Sequence, residues 1–256
     1  MLRFLLSRRW LGLLLAVIIV GVACVELGRW QFRRSSERHD DNLVASRNLA
    51  AEPVRVSAVL STDTPPSSED EWRAVAAVGT YDAQRQLIVS YRTRDGAPGV
   101  DVLVPLVTDH GPALLVDRGW VQTQGNANRD VDVPSPPSGT VTVSGWVRAN
   151  AEGDSDQVTP NDGTVRAISS AAIAPSLPYP VYDGFVDLTE ERPAVSPAPA
   201  RADPPDLGPG PHFFYGVQWW FFAVLALGFW CYFAWAQYRE TRVLSQDPTV
   251  RQREAS

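Results

Sequence analysis

The sequence predicts a membrane protein in which two terminal transmembrane α-helices flank a mainly antiparallel β domain, small and barrel-like, with minor helix. Three observations predict it. Residues 10–25 carry no charge for sixteen positions, and residues 213–238 carry none for 26. Between them, residues 29–211 hold 16 Arg against 25 Asp and Glu, a net of −9. That acidic stretch is cut into short β-branched runs by Pro, Gly and Asp clusters.

Taken in order, the expected elements are a cytoplasmic N-terminus (1–9), a first span (10–27), an extracytoplasmic β-rich domain (28–192), a Pro-rich linker (193–211), a second span (212–238) and a cytoplasmic tail (239–256). The uncharged core of the first span is about 24 Å long at helical rise, a little short of a ~30 Å hydrocarbon layer. Extension to Leu27 brings in Glu26, suited to the interface. Ser7-Arg8-Arg9-Trp10-Leu11 resembles a twin-arginine export signal, and Gly21-Val22-Ala23-Cys24 weakly resembles a lipoprotein cleavage box. Cleavage would leave one span instead of two. The second span has thirteen aromatic residues, gathered at Phe213–Phe222 and Phe229–Tyr238, as expected where rings sit at both headgroup levels. Arginines flank both spans. With Arg239, Arg242, Arg251 and Arg253 counted, the tally slightly favours both termini in the cytoplasm.

Strands are expected at Val54–Leu60, Arg73–Tyr81, Gln86–Arg92, Val100–Val107, Ala113–Val121, Thr140–Val147 and Tyr179–Leu188. Arg73–Tyr81 and Gln86–Arg92 read as a hairpin turning at Asp82-Ala83. Ser169–Ala174, closed by Pro175, is the one expected short helix. Regular strand spacing suggests a small barrel or a sheet folded on itself. Ser61–Glu71 reads as a polar linker. Residues 193–211 hold seven Pro in nineteen positions, a composition for a semi-rigid tether.

Composition excludes several chemistries. All 23 basic residues are Arg. Without Lys there is no Schiff-base enzyme and no P-loop nucleotidase. Cys24 and Cys231 lie in separate apolar runs, so a CxxC pair, a zinc-type Cys cluster and a disulfide framework are excluded. The acidic balance argues against nucleic acid as a partner.

Four separated blocks resemble the Surfeit locus protein 1 family, assembly factors for haem–copper cytochrome oxidase. They are Leu27-Gly28-Arg29-Trp30-Gln31-Phe32-Arg33-Arg34; Val78-Gly79-Thr80-Tyr81-Asp82; Gly99–Leu106 followed by Leu114–Val121; and His212-Phe213-Phe214-Tyr215-Gly216-Val217-Gln218-Trp219. Their order and spacing are family-like along almost the whole chain. Pro211, Phe213, Val104 and Gln122 depart from the usual pattern. The resemblance implies an uncleaved first span, a central domain outside the cytoplasm, and a role in building oxidase subunit I. It also implies haem a as a transient cofactor. Expected partners are cytochrome c oxidase subunit I, other assembly factors, haem a and the lipid bilayer.

His212 is the candidate iron ligand, because a neutral imidazole nitrogen can bind haem axially. Tyr215 and Trp219 follow at i+3 and i+7 on one helical face, forming an aromatic wall, with Gly216 allowing close approach. Gln218 is polar within an apolar span and is expected to face protein or ligand. Trp30 and Gln31, read as following the first helix, would form a lid. Arg29, Arg33, Arg34 and Arg38 could hold propionates. Each has a plainer alternative: interfacial anchoring for His212, Tyr215, Trp219 and Trp30, a bond to the first span for Gln218, and lipid phosphate for Arg34 and its neighbours. Gly79, Asp117, Arg118 and Gly119 read as structural. Asp117 and Arg118 should face opposite sides of their strand. His39 and His110 read as solvated.

The expected function is assistance with haem a delivery to subunit I, or its stabilisation there, without catalysis. The competitors are a subunit I scaffold that does not touch haem, an exported tethered enzyme and a cell-envelope structural protein. The enzyme would need a nucleophile–base or carboxylate pair, and no such signature is visible in the sequence.

Overall fold

The computed structural model describes residues 3–123 and 131–246. The rest of the tail, with Arg251 and Arg253 of the charge tally, lies outside the described residues. The chain forms two compact units. One is built from the chain up to Asp40 and from Gly208 onward; the other is Asp41–Leu207.

The first unit is a helix pair. Helix α1 runs over Arg8–Ala50, and a second long helix, His212–Gln246, closes the chain. Both have stretches long and apolar enough to cross a membrane. They are antiparallel. Trp10 meets Trp230 edge-on, the Trp220 indole N–H reaches the Val25 carbonyl, and Gln31 meets His212, so position rises in one helix as it falls in the other.

Helix α1 does not stop at Leu27. From Arg29 to Ala50 the sequence has neither Pro nor Gly, and ion pairs Glu26–Arg29 and Arg34–Glu37 lie along its surface. Helical propensity therefore continues after hydrophobicity has ended. The helix ends shortly before Pro53, whose ring disfavours helical backbone at the preceding residue. The block Leu27–Arg34 thus lies inside a helix instead of following one.

Among the described residues the second unit holds eight strands: β1 (Val54–Arg55), β2 (Ala74–Tyr81), β3 (Leu87–Arg94), β4 (Ala97–Thr108), β5 (Ala113–Gln122), β6 (Thr140–Arg148), β7 (Thr164–Val165) and β8 (Val181–Arg192). Their order in the sheet is β1-β2-β6-β8-β5-β4-β3-β7, and an added β2–β4 pairing closes β2, β6, β8, β5 and β4 into a ring. Most pairings are antiparallel; β1–β2, β3–β7 and β5–β8 are parallel. Short helices α2 (Ser155–Val158) and α3 (Ser170–Ile173) complete the unit, so the chain's final helix is α4.

Two local expectations are corrected. The run Val54–Leu60 is a strand only at its first two residues, because a 3-10 turn follows at Val56–Ala58. Strands β2 and β3 do not pair as a hairpin: β2 pairs with β1, β6 and β4, and β3 with β4 and β7. A 3-10 turn at Ala83–Arg85 separates them, and the Asp82 N–H is taken by the Pro105 carbonyl. Helix α2 and strand β7 were not expected.

Side-chain alternation explains why β4 and β5 read as continuous apolar runs. Val102, Val104, Leu106, Leu114 and Val116 enter one core with Val75, Val143 and Leu188. Leu103 and Leu115, on the opposite face, enter a second core with Val89, Val165, Ile168 and Ile173 beneath α3. Both faces of these strands are covered, so both sets of positions are apolar.

The Pro-rich segment is fastened to the sheet. Trp120 and Ala200 exchange both backbone hydrogen bonds. Gly119 makes this possible: its φ is +119°, and a Cβ there would overlap the Ala200 carbonyl oxygen. Gly79 sits mid-strand at the β2–β4 closure, opposite Thr108, where a Cβ would strike the Val107 carbonyl. Both glycines lie within their strands, Gly119 at the bulge where the β4–β5 register shifts between Trp120 and Asp117.

Candidate functional site

At the start of α4, the His212 ring nitrogen Nδ1 lies 2.8 Å from the Gln31 side-chain oxygen. Both residues are partly buried. Beside them the helices are held by rings set against glycines. Gly28 is filled by the Trp220 indole and Gly216 by the Phe32 ring. Phe32 also meets Trp220 and Phe213 edge-on, with centroids 4.9 and 5.7 Å apart. About two turns further along α1, the Arg38 Nε donates to the Gly208 carbonyl. The helical spacing accounts for this: Gly28, Gln31 and Phe32 share one face of α1 at i, i+3 and i+4, while Gly216 and Trp220 share one face of α4.

Of the residues predicted for this site, His212 comes to the helix interface and Trp219 is partly buried against Phe222. Tyr215, Trp30, Gln218 and Arg34 are exposed on their helices. Arg34 is ion-paired with Glu37. Gly216 accommodates the protein's own Phe32 ring, and Trp30 and Gln31 lie well within α1 instead of beyond its end. Sequence reasoning missed Phe32, Trp220 and the notch at Gly28. The signal for them was available as a small residue four positions from a large ring on each helix.

One imidazole matches the single nitrogen that a haem iron would need from the protein. Among the described residues no three His, Cys, Asp or Glu gather to hold a metal. A haem iron brings four porphyrin nitrogens with it and needs only an axial nitrogen from the protein. The single Gln31 bond leaves the His212 ring one nitrogen for that purpose, and the rings around it are apolar.

The β unit contains two polar networks that sequence reasoning did not find. The Arg118 side chain is fully buried, pairs with Glu191 at 3.2 Å and donates to the Pro134 carbonyl. Glu191 also takes Arg201 at 2.9 Å and the Tyr81 hydroxyl at 3.3 Å. Burial pushes the Glu191 carboxyl up, but hydrogen bonds from Arg118 and Arg201 outweigh it and hold the group below the usual carboxylate range. Burial, with Glu191 alongside, pushes the Tyr81 phenol well above its ordinary value.

On the other side of β5, Asp117 accepts the Gly119 N–H, and Asp101 and Asp187 pair with Arg92 and Arg148, each at 2.8 Å. These groups line a cavity of about 320 Å³ with Arg94, Trp120 and Asp203. Burial and the nearby Asp101 and Asp187 push the Asp117 carboxyl well above the usual range. Asp117 and Arg118 take separate partner sets from the two sides of one strand.

A model of the SURF1 family matches residues 18–224. The chain belongs to the SURF1 family. It is 30% identical over 248 residues to uncharacterized SURF1-like proteins of Mycobacterium tuberculosis and Mycobacterium bovis, covering 94% of this chain and 89% of each relative. It is 29% identical over 153 residues to a SURF1-like protein of Monosiga brevicollis, covering 56% of this chain and 57% of that protein. The SURF1 match takes in the His212–Gln31 pair, the glycine notches and the whole β unit, and the blocks Leu27–Arg34 and His212–Trp219 meet at that pair.

Proposed function

We propose that this protein assists assembly of haem–copper cytochrome c oxidase, holding haem a transiently at His212 for delivery to, or stabilisation in, subunit I. The observation that carries the reading is a lone imidazole in the first turn of an apolar helix, with Nδ1 already engaged by Gln31. His212 would supply the axial nitrogen, and Phe213, Tyr215 and Trp219 nearby would offer apolar surface to a porphyrin. A single axial ligand suits handover, since release then requires one bond to break. In this reading both apolar helices span the cell membrane, the termini are cytoplasmic, and the β unit is extracytoplasmic. Subunit I and other assembly factors are the protein partners, and the protein is not an enzyme. The Asp101, Asp117 and Asp187 group is structural here, because two of the three carboxylates are occupied by arginines.

A second reading, a subunit I scaffold that never touches haem, is favoured by one feature: Tyr215, Gln218, Trp30 and Arg34 are exposed on their helices. Haem titration into the detergent-purified full chain separates the two. The delivery reading expects a haem absorbance that His212→Ala removes. No haem absorbance in the wild type leaves the scaffold, whereas an unchanged spectrum in that variant means that haem is held but not by His212. A deletion strain should lose haem a-type absorbance and oxidase activity together.

A further inference from the structure

The contact between Gln31 and His212 joins residues 181 positions apart and is partly buried. Gln31 has a definite chemical character. An amide oxygen can only accept, so a ring nitrogen 2.8 Å away must carry the proton. A neutral imidazole has one N–H and one lone pair. Placing the proton on Nδ1 leaves the lone pair on Nε2. The reversed amide would donate to Nδ1 and put the ring proton on Nε2, where no lone pair would remain for a metal. Among the described residues the ring has no other hydrogen-bond partner, so this one contact decides the tautomer.

Gln31 is itself fixed. It lies one turn after Gly28 and next to Phe32, whose rings and notches lock the two helices face to face. An amide also suits this place better than a carboxylate, because it carries no charge to desolvate between apolar helices.

We infer that Gln31 is the positioning residue of His212: its side-chain oxygen accepts the Nδ1 proton, holds the ring in the Nδ1–H tautomer and so keeps the Nε2 lone pair available as the donor to a haem iron. The tautomer claim stands on the geometry alone; its use for haem rests on the proposed function. Partners of this kind set both the orientation and the donor strength of a ligating histidine.

The test uses the full chain in detergent micelles. The protein has three histidines, so ¹⁵N-histidine labelling gives few signals, and the His212→Ala variant identifies those of His212. The ligand-free wild type should show the Nδ1–H tautomer at His212, and Gln31→Leu should convert it to the commoner Nε2–H form while the helical circular dichroism stays unchanged. Wild-type ring signals of the Nε2–H form, or signals that do not move in Gln31→Leu, would overturn the inference. Titration with haem a supplies the second readout. Gln31→Leu should weaken binding by about 10–100-fold. Gln31→Glu retains an acceptor and should restore binding, with a lower reduction potential of the bound haem. If Gln31→Glu binds as poorly as Gln31→Leu, positioning by an acceptor is wrong. If wild type binds no haem at all, the delivery reading falls, and the nitrogen signals still decide the role of Gln31.

Discussion

Asp117 carries one of the chain's least favourable charges. Its carboxyl is buried in β5, near Asp101 and Asp187, and accepts the Gly119 N–H. Arg92 and Arg148 are committed to those neighbours. A carboxyl raised in this way binds its proton more tightly in the folded chain than in the unfolded one. Its contribution to stability is therefore fully present below the ordinary carboxylate range and is lost as pH rises through the folded value. Asp117→Asn keeps the acceptor for Gly119 and removes the charge. At alkaline pH the variant should be more stable than wild type by about 1–3 kcal/mol, the scale for relieving an uncompensated buried group. Below about pH 4 the two should converge. Thermal unfolding followed by tryptophan fluorescence across that range checks it; a constant difference at every pH would show that Asp117 does not titrate with folding.

Among the elements, the segment after β8 departs furthest from what its composition suggests. Seven prolines describe a tether, yet the segment is bound to β5 through Ala200 and Trp120, and Arg201 reaches both the Arg118 carbonyl and Glu191. Arg94 adds bonds to the Arg201 carbonyl and Asp203. Gly119→Ala would place a methyl group against the Ala200 carbonyl and impose a left-handed backbone on alanine, at about 1–3 kcal/mol for the backbone alone. The expected result is release of the segment: trypsin should cut after Arg201 in the variant far faster than in wild type. Equal rates would mean that the strap does not depend on Gly119. Such pairings explain what was legible beforehand. The strands of β4, β5 and β6 could be read because their β-branched residues follow the strand period. The helix over residues 28–50 could not, because hydrophobicity was the marker and it ends at Leu27. The β2–β3 hairpin was misread because neighbours in sequence were assumed to be neighbours in the sheet. His212 and Gln31 were both singled out from motifs, but no local pattern reveals a bond across 181 positions. The same holds for Arg118 with Glu191 and for Asp117 with Asp187, whose proximity depends on strand register.

For the whole molecule, the proposed function places the β unit outside the cytoplasm, and that placement can be tested. Charge alone decides little, because arginines flank both apolar helices. The chain lends itself to a direct assay: its only cysteines, Cys24 and Cys231, both lie in apolar helix segments and can be replaced by alanine. Single cysteines can then be introduced at Asp63, an exposed position of the β unit, and at Arg242, an exposed position near the end of α4. Asp63 lends only its backbone N–H to a turn with Ser61, so its side chain can be changed without loss of a bond. A membrane-impermeant maleimide added to intact cells, with the outer barrier opened where one exists, should modify Asp63→Cys. Arg242→Cys should react only after lysis, because both termini lie on the opposite side in a two-span chain. The reverse pattern would invert the protein and remove the basis for delivery from outside. Labelling of both positions in intact cells would exclude the second span, since a chain crossing only once at α1 would leave the β unit and the end of α4 on the same side.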